Sequence, residues 1–172
     1  MIKGIAKGLV LGGLAMALVA APAKAQVAWS VGVGASLPQG DFKNGVKTGF
    51  HGMAAGDFKL TGSPISIRGD FMYNSFSSKV SGGPTLSDMT VSADAKYGFA
   101  PGPVSPYILG GPTWSRASCS GCTSESAFGF NVGGGINFGM SALKLFAEAR
   151  YFSTSKNGVS THWIPVTIGI HF

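Results

Sequence analysis

Charge is scarce in this 172-residue chain: Lys, Arg, Asp and Glu together make up 12% of it, where a soluble globular domain carries roughly a quarter. Little of its surface is therefore built to face water. Cysteine is scarcer still, with only Cys119 and Cys122. A zinc site would need two more ligands spaced nearby, and a redox pair would want a helix N-terminus behind it. Neither is present in the sequence. Beyond residue 25 no stretch shows a 3.6-residue apolar period, so there is no amphipathic helix from which to build a bundle. The one long apolar run, Leu9 to Ala21, is short for a membrane helix, holds Gly12 and Gly13, and is stopped by Pro22.

That run follows Lys3 and Lys7 and precedes the small-residue triplet Ala23, Lys24, Ala25. The arrangement predicts a secretory signal peptide, residues 1–25, cut after Ala25, with a membrane anchor helix as the alternative. Residues 26–172 then form a single domain. The net charge of +6 includes Lys3, Lys7 and Lys24; without them 10 basic residues stand against 7 acidic ones. So mild a surplus implies no nucleic-acid partner. In an exported protein the two cysteines are expected to form a small loop-tip disulfide, Cys119–Cys122, because Gly121 permits the tight turn; free thiols are the alternative.

What the chain has instead is alternation. Trp163 to Phe172 alternates apolar with polar or small residues and ends on an aromatic, which is the length that crosses a bilayer as a tilted strand. A spanning strand must pair on both edges, so it implies a closed barrel. Period two predicts eight strands: Val27–Leu37, Phe50–Leu60, Ile65–Phe76, Met89–Phe99, Ser105–Trp114, Ser126–Phe138, Leu143–Phe152 and Trp163–Phe172. The connections then alternate. Residues 38–49, 77–88, 115–125 and 153–162 are long, whereas 61–64, 100–104 and 139–142 are short. Short periplasmic turns and long outer loops make this an all-β, eight-stranded antiparallel up-and-down transmembrane barrel with both termini in the periplasm.

Charges fall on one face of each strand that has them: Asp57 and Lys59, Arg68 and Asp70, Asp94 and Lys96, and Lys144, Glu148 and Arg150. The other faces are apolar or small. A soluble lipocalin-like barrel would turn the apolar faces inward. The polar faces, mostly Ser, Thr, Asn and Gly, are too poor in charge for a water-exposed surface, so the charges are expected to line a lumen, five cations against four anions. Aromatics are expected in two interfacial girdles. Trp29, Phe58, Phe99, Tyr107, Phe138 and Phe172 would form the periplasmic one, and Phe50, Tyr73, Trp114, Phe128, Tyr151 and Trp163 the outer one. Pro106 and Pro165 are expected at the rims, and Pro112 at a bulge or an early strand end.

Several phrases carry a family resemblance: Pro38, Gly40, Asp41 and Phe42 followed by Gly49 and Phe50; Pro106 to Gly111; Phe130 to Gly135; Phe146 to Tyr151; and Ile164 to Gly169 with Phe172 last. Across residues 26–172 the chain resembles the small outer-membrane barrels of the OmpA and OmpX type, the outer-membrane protein beta-barrel domain family of Gram-negative bacteria. The resemblance implies that Phe172 belongs to a signal read by the outer-membrane assembly machinery. It implies no single activity, since such barrels include adhesins and membrane stabilisers.

Function follows as a set of expectations. The leading one is a monomeric, non-catalytic envelope protein, in contact with outer-membrane lipid and lipopolysaccharide and open to a surface ligand through its loops. Those loops carry Lys43, Lys47, Lys79, Arg116 and Lys156 against Asp41, Asp88 and Glu125. No cofactor or metal is expected. The rival classes are a lipid A-modifying enzyme, for which Ser160, His162 and Glu125 are the thin candidates, and a narrow pore, which Met53, Met72, Phe76 and Phe146 should block. His51 and His171 fall at opposite ends and cannot share a site.

Overall fold

A computed structural model describes residues 26–60, 62–99, 101–119, 121, 123–140 and 143–172. The expected signal peptide, residues 1–25, lies outside the described residues, as does Cys122 of the expected disulfide. Eight strands close on themselves in sequence order: β1 Gln26–Gln39, β2 Gly49–Lys59, β3 Ile65–Phe76, β4 Leu86–Gly98, β5 Val104–Cys119, β6 Glu125–Met140, β7 Leu143–Lys156 and β8 Val159–His171. One short helix, α1 (Phe42–Gly45), follows β1. Every neighbouring pair is antiparallel, and β1 closes the ring against β8. No strand is left with an open edge, as a sheet in hydrocarbon requires.

Register fixes how wide the barrel is. The register runs once round through Val27, Phe58, Ile67, Ala95, Gly110, Val132, Tyr151, Ile164 and Leu37, with Tyr151 and Ile164 in step across a lapse in the β7–β8 ladder, and returns to β1 ten residues from the start. Eight strands with that stagger leave a lumen that side chains fill. Along β3 exposure alternates strictly, Ile67 and Phe71 outward, Arg68, Asp70 and Met72 inward, and β4 does the same. The apolar faces are outside, with Ile168 at 64% and Phe50 at 77% exposure, and the charged faces are inside. The inside-out, lipocalin-like arrangement is thereby overturned.

Four expectations of detail are corrected. First, β5, β7 and β8 run past their predicted ends. What read as a long 153–162 loop is a two-residue turn, Asn157 and Gly158, with φ of 50° and 83°, the left-handed pair that suits a tight hairpin. Ser153, Thr154, Ser155, Ser160 and Thr161 are polar on both faces, so no apolar alternation marks these extensions. Second, Pro112 neither bulges nor ends β5. Pairing to β6 is continuous through Pro112, while the ladder to β4 lapses between Ser92–Thr113 and Ala95–Gly110 and resumes in the same register. Third, Pro165 is not at a rim but inside β8, opposite a similar lapse in the β7 ladder between Ala149–Val166 and Phe152–Trp163.

Fourth, two of the expected girdle aromatics face inward. Tyr107 and Trp163 are each 2% exposed. They share strand parity with Leu109 and Thr167, the lumen faces of β5 and β8, so face outranks height along the strand. The remaining terminal girdle holds: Trp29 and Phe172 exchange backbone hydrogen bonds of 3.0 and 2.9 Å across the closing seam, and both are exposed.

Candidate functional site

The lumen is a column of ion pairs built by inward positions on facing strands. Near the mouth where the described chain begins and ends, at Gln26 and Phe172, the Arg68 guanidinium donates to both oxygens of Asp57, at 3.0 and 2.9 Å, and to Glu148 Oε2 at 2.7 Å. The Tyr107 hydroxyl also donates to Glu148 Oε2, at 2.7 Å. Lys96 Nζ lies 3.5 Å from Asp57 and 4.1 Å from the Tyr107 ring centre. One layer further in, Arg150 reaches Asp94 at 2.6 Å, Asn131 Oδ1 at 3.0 Å and Asp70 Oδ2 at 3.0 Å. The Asp70 contact is an ion pair not aligned as a hydrogen bond. Asn131 Nδ2 donates to Asp94 and to Thr113, at 2.7 and 2.9 Å.

A third layer is neutral. The His51 imidazole is held between Ser36 and Thr167, each 2.9 Å away, and the Ser36 hydroxyl donates to Asn74 Oδ1 at 2.6 Å. Met53, Met72, Phe76 and Phe146 are all 5% exposed or less. These side chains fill the bore along which a narrow pore would run. His171 instead bonds Asn137, at 3.0 Å, and does not meet His51.

The charge tally of the lumen differs from the expected one. Lys59 and Lys144 are exposed and line a cavity of about 900 Å³ at the terminal mouth, with Lys96, Tyr107 and His171. They stand outside the buried column because they lie at the strand ends of the terminal mouth, Lys59 as the last residue of β2 and Lys144 as the second of β7. Asp88, expected in a loop, is the third residue of β4 and 7% exposed. The buried set is therefore Arg68, Lys96 and Arg150 against Asp57, Asp70, Asp88, Asp94 and Glu148. Among the described residues three buried cations face five buried carboxyl groups, and Asp88 is met by neutral groups, the Thr90 hydroxyl at 2.7 Å and the Asn74 side chain.

The other mouth holds a second cavity, about 290 Å³, lined by Phe42 of α1 and by Phe76, Leu86, Asp88, Thr154 and Trp163 of the strands, among others. Phe42 meets Phe76 edge-on, at 5.2 Å between ring centres, and Trp163 stacks on Phe152 at 5.0 Å. The loop carrying α1 is tied down by backbone bonds from Lys47 to Ser77 and from Lys79 to Gly45. Composition alone offered no signal for this cup, because its residues come from seven separate elements, α1 and β3 to β8.

The three thin catalytic candidates are not brought into one hydrogen-bonded set. Ser160 Oγ bonds Ser155 Oγ at 3.5 Å, the His162 ring stacks on Tyr151 at 5.6 Å with Nδ1 unpartnered, and Glu125 pairs with Lys156 at 3.4 Å.

Known structures repeat the architecture. Neisserial surface protein A superposes with a TM-score of 0.68 at 17% identity, over 84% of this chain and 95% of that one. Ail, the attachment invasion locus protein of Yersinia pestis, gives 0.56 at 18% identity, over 86% of this chain and 99% of that one. The outer membrane enzyme PagL gives 0.59 at 18% identity, over 84% and 98%. At such identities the likeness is one of fold. No curated protein matches the chain in sequence. Residues 11–172 match the outer membrane protein beta-barrel domain family, and the chain belongs to that family of outer-membrane barrels.

Proposed function

We propose that the protein is a non-catalytic barrel of the outer membrane, with both termini in the periplasm, that serves envelope structure and meets polyanions at the cell surface through the mouth opposite its termini. The observation that carries this is the charge of that rim. Lys43, Lys47, Lys79 and Arg116 are exposed there and Lys156 is half-buried, against only Asp41 and Glu125, because Asp88 has withdrawn into the lumen. A surplus of three positive charges on ordered hairpins attracts phosphate or sulfate groups, of which lipopolysaccharide is the nearest source. The structural neighbour Ail has been crystallised with the heparin analogue sucrose octasulfate, which supports the reading.

Intact cells producing the protein should retain labelled heparin, less so as salt rises. Replacing Lys43, Lys47 and Lys79 together by Gln should weaken retention on the order of a hundredfold at low salt, given about 1 kcal/mol per Lys near an anionic surface. Retention seen only after lysis would overturn the orientation, and unchanged retention in the triple variant would overturn the role of the rim.

The non-catalytic reading is supported by the separation of Ser160, His162 and Glu125, since acyl hydrolysis needs nucleophile, base and acid in hydrogen-bond reach. His162→Ala should leave the lipid A of cells carrying the protein unchanged by mass spectrometry. A lipid A modification present with the parent protein and lost with this variant would make the protein an enzyme.

A further inference from the structure

We propose that the 290 Å³ cup at the mouth opposite the termini binds a small amphipathic amine, with Asp88 taking its ammonium group. Buried carboxylates are paired with cations, and each of the other four buried carboxyl groups has one: Asp57 and Glu148 with Arg68, Asp70 and Asp94 with Arg150. Asp88 is 7% exposed, lines the cup, and has no cation against it among the described residues. Lys156, the one cation among the described lining residues, already faces Glu125 at 3.4 Å.

The rest of the wall suits the remainder of such a ligand. Phe42, Phe76, Leu86 and Trp163 offer apolar and aromatic surface, and aromatic faces favour a desolvated ammonium. The Trp163 indole Nε1 is buried with no acceptor, so it is free to donate to a hydroxyl or carbonyl oxygen of the ligand. The exposed rim lysines are screened by solvent and salt, whereas Asp88 acts at close range within the cup.

Tyramine, which combines a ring, a hydroxyl and an ammonium group, is a suitable probe, with tyrosol as its neutral counterpart. Calorimetric titration of the protein in maltoside micelles should show tyramine binding and tyrosol at least about tenfold weaker, as expected for a charge-assisted hydrogen bond. Asp88→Asn should erase that preference. Phe42→Ala, which leaves the strand ladders untouched, should weaken both ligands. Nanodiscs then separate the natural sources of the amine. Tyramine binding lost in phosphatidylethanolamine but kept in phosphatidylglycerol assigns the cup to a lipid headgroup, and equal binding in both assigns it to a free amine. Absence of tyramine binding, equal affinity for tyrosol, or an Asp88→Asn variant that still prefers tyramine would overturn the proposal.

Discussion

Replacing Arg150 by Met is expected to destabilise the barrel by about 3–5 kcal/mol, the range for removing one partner of a buried ion pair. The guanidinium is 1% exposed and lies against Asp70, Asp94 and, at 3.9 Å, Glu148. Methionine fills a similar volume but leaves these carboxyl groups with Arg68 and Lys96 as the only buried cations among the described residues. The loss is not local, because Arg150 Nε also donates to Asn131, and Asn131 in turn holds Asp94 and Thr113. β3, β4, β5, β6 and β7 are thus tied across the lumen through one side chain. Denaturant unfolding in phospholipid vesicles, followed by tryptophan fluorescence, measures the cost. Asp94→Asn added to Arg150→Met should recover about 1 kcal/mol or more, since one uncompensated charge is removed. Equal stability of the single variant and the parent would show that the column contributes little.

Gly111→Val is expected to be comparably damaging for a steric reason. A Cβ at Gly111 would sit 2.9 Å from both the Ala93 carbonyl carbon and Asp94 Cα, with the Ala93 oxygen closer still. These are backbone atoms of β4, so no rotamer change relieves the contact. The ladder is already interrupted there, beside Pro112, and a wedge would widen the lapse. Overpacking against side chains costs roughly 1–3 kcal/mol, and backbone collision should reach the top of that range or exceed it. Gly52→Ala is the control, since nothing lies within 4 Å of a Cβ at that strand position. It should leave stability unchanged or raise it, Ala being less costly than Gly in a strand by roughly 0.5–1 kcal/mol. Loss of the compact, heat-modifiable band on gels for Gly111→Val alone would show the effect; similar behaviour of the two variants would refute it.

Much of the architecture is legible in the chain. Strand number, order and the inward face follow from period two, because a lipid face tolerates no charge and a lumen face has few apolar alternatives. The pairs Arg68 with Asp70, Asp94 with Lys96, and Glu148 with Arg150 declare the lumen face of their strands without any knowledge of partners. Strand ends are legible only where apolar contrast persists. Beyond Trp114 and Phe152 both faces are polar or small, so the hairpins that rise past the apolar belt are indistinguishable from loop, apart from the turn signal Asn157-Gly158.

Residue pattern was enough to specify a closed membrane barrel, the face of it that is dry, and the pairing of its last strand with its first. Tertiary structure alone decided which charges are compensated. Asp88 and Lys59 look alike as polar residues near strand ends, yet one is buried beside Thr90 and the other is open at the terminal mouth. That difference depends on stagger around the ring, which sets the height of each residue against seven other strands. It also brings Phe42, Phe76, Asp88 and Trp163 to one cup, a convergence that arises only when the barrel closes.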